Sequence, residues 1–514
     1  MMHAARLSPA APLRRAGGSA VTLGLAAGLL MGLFALDSVL LLAFLGWPPL
    51  VTAILGAVMA GGIAVLAARS VSATVRIGPA TIMACTAIAA LLLLLGGEGR
   101  LFYATADWQI RDAVLADMGR HAWPFDYMLD GRSKMLRAPL GMYLVPALLG
   151  GASQTARDWA LFGHNLVLLT LILAIGSALF EGRRARWIAA TIFIAFSGWD
   201  IIGTILLDHV TGKARWEHLE SWAGAYQYSA HITQIFWVPQ HAMAGWTCAL
   251  AYMLWRRGLA PVGLFAATVP LVALWSPLAI LGAVPFAIFA GLTVLATGRW
   301  NGRDVVLGAV ALAATLPALA YLGADAQKLG SGPQFPNIVL YTLMMLLEVV
   351  PLVLPPFLGR DRHSDLPTLL IAAVCLFLMP LWKIGASADF QMRGSIMPLA
   401  LVALAFADWA IRMRHSGAKL LLLLILSLGG VTGGAELWRA VRLQPSPPPR
   451  CSLAEAWTRQ SGLIVPNDSY FAATGALPRW LRPADPVERV EDAPAPRCWD
   501  RPWKLPRTLG ARAA

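Results

Sequence analysis

The sequence predicts an all-α polytopic membrane protein of about thirteen transmembrane helices, and three observations carry that prediction. Hydrophobic residues make up 58% of the chain and charged residues only 13%, about half the charge of a soluble domain. Mean hydropathy is +0.63, and the apolar residues fall in long unbroken runs rather than the short alternating segments of a β-barrel. Basic residues recur in every second connection between those runs.

Arg6, Arg14 and Arg15 precede the first apolar run, 20–45, which reads as a signal-anchor: it is too long for a cleaved leader and lacks a small-residue cleavage site. Further spans are expected at 49–68, 79–96, 157–180, 187–205, 240–255, 259–275, 278–297, 304–322, 337–357, 366–383, 394–411 and 418–435. Each is close to the length a bilayer core requires. With the N-terminus cytoplasmic, the cytoplasmic loops hold Arg69 and Arg76, Arg183, Arg184 and Arg186, Arg256 and Arg257, Arg299 and Arg303, Arg360 and Arg362, and Arg412, Arg414 and Lys419. That pattern obeys the positive-inside rule and puts the C-terminus in the periplasm. The expected location is the bacterial inner membrane, with membrane lipids as surroundings. The net charge of +13 is spread over these short loops, and no nucleic-acid-binding module is present.

The other side then receives two large loops, 98–156 and 206–239, two small ones, 323–336 and 384–393, and the tail, 436–514. A transmembrane domain over 1–435 and a tail domain over 436–514 result. Within the first loop, 138–150 is apolar but too short to span, and reads as an interfacial or re-entrant helix. Cys85, Cys248 and Cys375 lie in apolar runs as packing residues. Cys451 and Cys498 lie in the tail, where an oxidising compartment favours a disulfide over two thiols. No internal repeat is evident, which argues mildly against an inverted-repeat transporter.

The first loop opens with EGRLFYATADWQIRDAVLADMGR and packs acids, bases and aromatics into a chain otherwise poor in charge. Asp107 sits at the membrane surface, where a carboxylate can act as general base toward a lipid-linked substrate. The plainer reading is a solvated acid or a helix N-cap. Asp112 and Asp117 follow. Arg111, Arg132, Lys134 and Arg137 can grip phosphate or anchor an interfacial helix to headgroups.

The second loop gathers His209, His218, Glu220, His231 and His241 among four tryptophans. His218-x-Glu220 could offer two ligands to a divalent metal, but no established metal spacing accompanies it. An aromatic, hydrogen-bonded pocket suited to a sugar is the preferred reading. Gln240 and His241 open a span, as site residues or as interface caps. Asp389 and Arg393 form an ionisable pair at the start of another span, functional by default or a local salt bridge. Asp200 is a lone acid in an apolar run and needs a partner or a wet cavity.

With these segments in view (DWQIRDAVLADM, WPFDY, QYSAHITQIFWVPQHAMAGW, LWSPLAILG and ADFQMRGSIMPLA), residues 100–410 resemble the C-type glycosyltransferase superfamily, GT-C. Those enzymes are polytopic and use polyprenyl-phosphate-linked sugars. Their first large extracytoplasmic loop carries an essential acid followed by interfacial helices. The resemblance implies transfer of a sugar from a lipid-linked donor to an envelope or lipid acceptor. Asp107 or Asp112 would be the base, and Arg111, Arg137, His209, His218, Glu220, His231, Gln240, His241, Asp389 and Arg393 would line the substrate site. Two further spans precede the acid here, and no tandem acidic pair is present. A transporter or lipid flippase, and a non-catalytic envelope-assembly protein, are the competing readings. The first expects a path past Asp200. The second expects the polar residues to be scattered.

Overall fold

A computed structural model describes residues 20–507 except 130, 214–215, 300, 336, 360–364, 386–387, 462–468, 485–486 and 491–496. Arg6, Arg14, Arg15, Arg360 and Arg362 lie outside the described residues. The molecule is an all-α membrane protein with few strands. Among the described residues seven helices are long and apolar enough to cross a bilayer: Leu23–Phe44, Pro49–Ser70, Gln154–Ser177, Pro277–Thr297, Gly302–Gly323, Ile338–Leu358 and Ser416–Arg442. These coincide with seven of the expected spans. The other expected spans form helices that are shorter or less apolar, and the expected count of thirteen is not confirmed among the described residues.

The expected span 187–205 is two helices, Arg183–Ile194 and Asp200–Thr211, separated by a break at Ser197-Gly198-Trp199. The break has a packing cause. A Cβ on Gly198 would stand 2.7 Å from the Glu348 backbone, and one on Gly203 would stand 2.3 Å from the Trp222 ring. The chain therefore bends where two other elements press on it. The expected span 259–275 is likewise helical only over Val262–Leu271.

Glycine spacing builds the first hairpin. Gly24, Gly28 and Gly32 recur every fourth residue along one face of Leu23–Phe44. A Cβ on Gly24 or Gly28 would come within 2.4 Å of the Ala68 or Ala64 carbonyl oxygen. Side chains would thus hold the helices apart, whereas small residues let the backbones touch, which is how helices associate in lipid without a hydrophobic driving force.

The basic connections collect on one face. Ser72 donates its N–H to Leu259 O at 2.9 Å. β1 (Val21–Thr22) pairs with β2 (Arg76–Ile77). Arg257 bridges the Leu179 carbonyl and Asp408, and Arg256 holds Asp365 in a two-pronged pair through Nε and Nη2.

The opposite face carries the first loop and the tail, which share one four-stranded sheet. β3 (Phe125–Leu129) and β4 (Arg132–Leu136) form a hairpin; β7 (Phe471–Ala473) adds antiparallel to β4, and β8 (Glu488–Val490) adds parallel to β3. A separate antiparallel pair, β5 (Ser331–Pro333) and β6 (Trp382–Ile384), joins the two small loops. The Cys451–Cys498 disulfide is formed, closing 47 residues of tail. Asp117 fastens tail to loop: its Oδ2 accepts the Leu453 N–H at 2.7 Å and the Tyr127 hydroxyl at 2.8 Å. The Trp503 indole donates to the Ala104 carbonyl at 3.0 Å, and Arg120 to the Pro449 carbonyl at 2.6 Å. The short apolar helix expected in the first loop is Gly141–Gly150, most of it buried.

Candidate functional site

Asp107 immediately precedes the loop helix Trp108–Arg120, but its side chain makes no capping hydrogen bond. Its carboxylate lies 3.6 Å from Arg111, one turn on, and is 37% exposed while Arg111 is 2% exposed. Arg111 is fixed from behind: its Nε donates to the Trp237 carbonyl at 3.0 Å. Beside it, the Trp108 indole donates to the Phe236 carbonyl at 2.8 Å. These bonds lock the loop helix onto the chain just before the Pro239–Arg256 helix.

Four other elements converge here. Tyr143, from Gly141–Gly150, puts its hydroxyl against Arg111. Tyr470, from the tail, lies in the electrostatic reach of Arg111, Arg393, Asp107 and Asp389. Its position is set by its own carbonyl, which accepts the Arg137 N–H at 2.6 Å. His241 lies near Arg111 and Arg393, and its Nδ1 is 2.9 Å from the Ser276 hydroxyl. Arg393 pairs with Asp389 at 2.6 Å within the helix Asp389–Gly394. That helix is pinned by Gly282, where a Cβ would stand 1.9 Å from the Gly394 carbonyl oxygen. Gly141 is pinned similarly, under the Trp275 ring.

Burial opposes the charge of Arg111, but Tyr143, Tyr470 and Asp107 more than offset this and hold its pKa above the ordinary arginine value. Burial pushes both tyrosine hydroxyls up, so both stay protonated donors despite the guanidinium beside them. Hydrogen-bonding capacity is left over. The donor Arg393 Nε has no hydrogen-bond partner among the described residues, and neither has the acceptor Gln240 Oε1. Buried polar atoms without partners cost free energy, and both of these lie beside His241, which faces Arg111 and Arg393. Such a cluster can receive an anion on its guanidinium and tyrosine donors and a proton on Asp107.

Six of the expected site residues therefore meet: Asp107, Arg111, Gln240, His241, Asp389 and Arg393. Arg137 supports Tyr470 through its backbone and lies beside Tyr321 and Asp325. Asp112 faces elsewhere. It is buried and paired with Arg100 at 3.0 Å, and Arg100 also holds Asp158 at 2.7 Å. Burial lifts its carboxyl to about 6. Glu98, next to this group, accepts from Asn165 at 2.8 Å and is lifted by burial to about 8. His209 is exposed near the end of Asp200–Thr211 and makes no hydrogen bond or ion pair among the described residues. His231 is a core residue, its Nδ1 2.6 Å from the Phe193 carbonyl and its ring among Phe193, Phe196 and Trp246.

His218 and Glu220 belong to a second cluster. Glu220 accepts the Ala230 N–H at 2.8 Å and the Gln227 amide at 2.9 Å. His218 Nδ1 is 3.5 Å from Glu436, and its ring stacks 4.7 Å from Trp237. Trp237 and Arg439 donate to Glu436 at 3.1 and 3.2 Å. Asp200 accepts from Thr432 and Ser197, and the Trp222 indole donates to Glu348 at 2.6 Å. Burial raises the Glu220 carboxyl; it opposes charge on His218, whose hydrogen bond to Glu436 nevertheless raises the imidazole. Among the described residues no group of three or more His, Cys, Asp or Glu side chains is arranged to hold a metal. Trp237 separates the two clusters: its carbonyl serves Arg111 and its ring and indole N–H serve His218 and Glu436.

Sequence reasoning missed Tyr143, Tyr470, Glu348 and Glu436. Glu348 and Glu436 were visible as acids in apolar runs, the same signal that marked Asp200. Comparison with known protein families, with curated proteins and with solved structures found no match.

Proposed function

We propose that the chain is a membrane glycosyltransferase that moves a sugar from a polyprenyl-phosphate donor to an envelope or lipid acceptor. On this reading it works at the outer face of a bacterial inner membrane, with the N-terminus cytoplasmic and the tail periplasmic. One observation carries the reading: the partly open carboxylate of Asp107 stands beside buried Arg111, and the Tyr470 hydroxyl lies in the electrostatic reach of both and of Arg393. The acceptor hydroxyl attacks the anomeric carbon while Asp107 takes its proton. The bond from that carbon to the phosphate oxygen breaks, and the polyprenyl phosphate leaves with the electron pair. Arg111, Arg393 and the two tyrosines would stabilise the departing charge. One base and one displacement invert the anomeric configuration. Asp112, neutralised by Arg100, fits a structural role better than that of base.

The test is sugar transfer by purified protein in lipid, from a panel of polyprenyl-phosphate sugars. Wild type should transfer with inversion, Asp107→Asn should not, and Asp112→Asn should keep transfer wherever it folds. Full activity of Asp107→Asn would remove the base assignment. A transporter or flippase draws on one feature, the pair formed by Asp37 in Leu23–Phe44 and His164 at 3.5 Å, with Trp275 donating to the same carboxylate at 2.9 Å. Buried ionisable pairs of this kind mark proton or substrate paths. Lipid or solute movement lost in Asp37→Asn, with no transfer by wild type, would favour it.

A further inference from the structure

The geometry points to a binding site for an anionic phospholipid on the basic face, separate from the candidate transfer site. A groove of about 400 Å³ runs between the helices Pro79–Leu95, Gln154–Ser177 and Arg183–Ile194. Its volume is in the range of ligand clefts. Its wall is almost wholly apolar, with Ile88, Ile172, Phe193 and Leu250 along it, and its charged lining residues are Arg183 and Arg186.

Three features set an anion at that end. Arg186 is anchored, its Nε donating to the Phe180 carbonyl at 3.1 Å, and neither Nη makes a hydrogen bond among the described residues. Its charge also reaches Cys85 on the opposite wall. Arg183 is exposed and makes no hydrogen bond or ion pair among the described residues. The helix Arg183–Ile194 opens at Gly182 with no side-chain cap and no acid in its first turn, so its first amide groups are free to bind an anion. Glu181 sits in the same turn, exposed, and does not line the groove.

An apolar groove ending in two guanidinium groups and a bare helix start matches a phosphodiester headgroup with an acyl chain behind it. The groove takes the first half of Pro79–Leu95, whereas the candidate site lies beyond its other end. From Thr81 to Leu95 the helix rises roughly 21 Å. A lipid here would not be the sugar donor of the outer face; it would seal the gap between three helices.

The measurement is native mass spectrometry of the full-length protein, released from micelles containing equal phosphatidylglycerol and phosphatidylcholine. Wild type should retain one phosphatidylglycerol in preference. Arg183→Ala and Arg186→Ala should each cut that preference about fivefold, the equivalent of about 1 kcal/mol per basic residue. Arg186→Lys should keep most of it, because the charge stays when the Phe180 bond goes. Ala84→Phe, which fills the groove, should abolish retention of either lipid. Equal retention of the two lipids by wild type would overturn the proposal, as would unchanged retention by Ala84→Phe. Equal loss in Arg186→Lys and Arg186→Ala would also overturn it, by showing that charge is not the determinant.

Discussion

Two clusters of acids stand back to back across Trp237, and they differ in how open their carboxylates are. Around Glu220, Glu348 and Glu436 the acceptors are met by indole, amide, guanidinium and backbone donors. Around Asp107 the carboxylate is partly open, and buried Arg393 and Gln240 atoms lack partners. The first arrangement is how a protein makes buried acids tolerable. The second keeps hydrogen-bonding capacity in reserve, as a binding site must. Residue type does not separate the two, since each contains acids, an arginine, a histidine and aromatics. Exposure of the carboxylate separates them: Asp107 is partly open, whereas Glu220, Glu348 and Glu436 are buried.

The sharpest way to break the contrast is at the carboxylates themselves. Asp107→Asn should lower transfer by roughly 10²- to 10⁴-fold with little change in Tm, measured by thermal unfolding beside the transfer assay. A large loss of Tm with normal transfer would reverse the assignment of the two clusters. Next in size is the staple that holds Tyr470 in reach. Cys498→Ser should cost about 2–4 kcal/mol, seen as faster proteolysis of the tail, and should slow transfer through Tyr470 rather than through Asp107.

The Asp117 latch gives a pH dependence of similar size. Burial lifts its carboxyl to about 6 from an ordinary 3.8, so the folded chain holds a proton that the unfolded chain has already released. Its contribution is complete below about 3.8 and is lost as pH rises through about 6, on the order of 2–3 kcal/mol. The protection of the Leu453 amide against hydrogen exchange, corrected for the intrinsic base-catalysed rate, should therefore fall from pH 4 to pH 7 in wild type. Asp117→Asn, which keeps an acceptor for Leu453, should flatten that slope. In the closed cluster, Trp222→Phe strands the Glu348 carboxyl and should cost about 1–3 kcal/mol, read as a lower Tm with KM unchanged. The smallest effect belongs to His209→Ala on the exposed end of its helix, within about 0.5 kcal/mol and neutral for transfer.

Much of this was legible in the residues, and the gaps have physical causes. Apolar runs located the helices because bilayer burial writes itself into composition. The break at Ser197-Gly198-Trp199 did not show, because hydropathy is blind to a neighbour pressing on Gly198 and Gly203. The Gly24-Gly28-Gly32 spacing was readable as a helix-packing face. Asp107, Arg111, His241 and Arg393 were found because charge is scarce in this chain. Tyr143 and Tyr470 carry no such contrast, and nothing local in the tail says that residue 470 meets residue 111. His218 and Glu220, in the second loop, were grouped with Asp107 through the family resemblance, and the placement of Trp237 divides them.

The sheet that unites loop and tail has a consequence for biogenesis. β3 and β4 are synthesised early, yet their outer partners β7 and β8 come from the end of the chain, and the Asp117–Leu453 bond spans 336 residues. The loop must wait with both sheet edges unpaired until every helix has been threaded into the bilayer. A nascent chain stalled or clipped before its last sixty residues would be fully inserted yet would lack Tyr470 and both edge strands. Pairing of the tail strands thus closes both edges of the loop hairpin, and a product lacking them would present an open sheet to proteases.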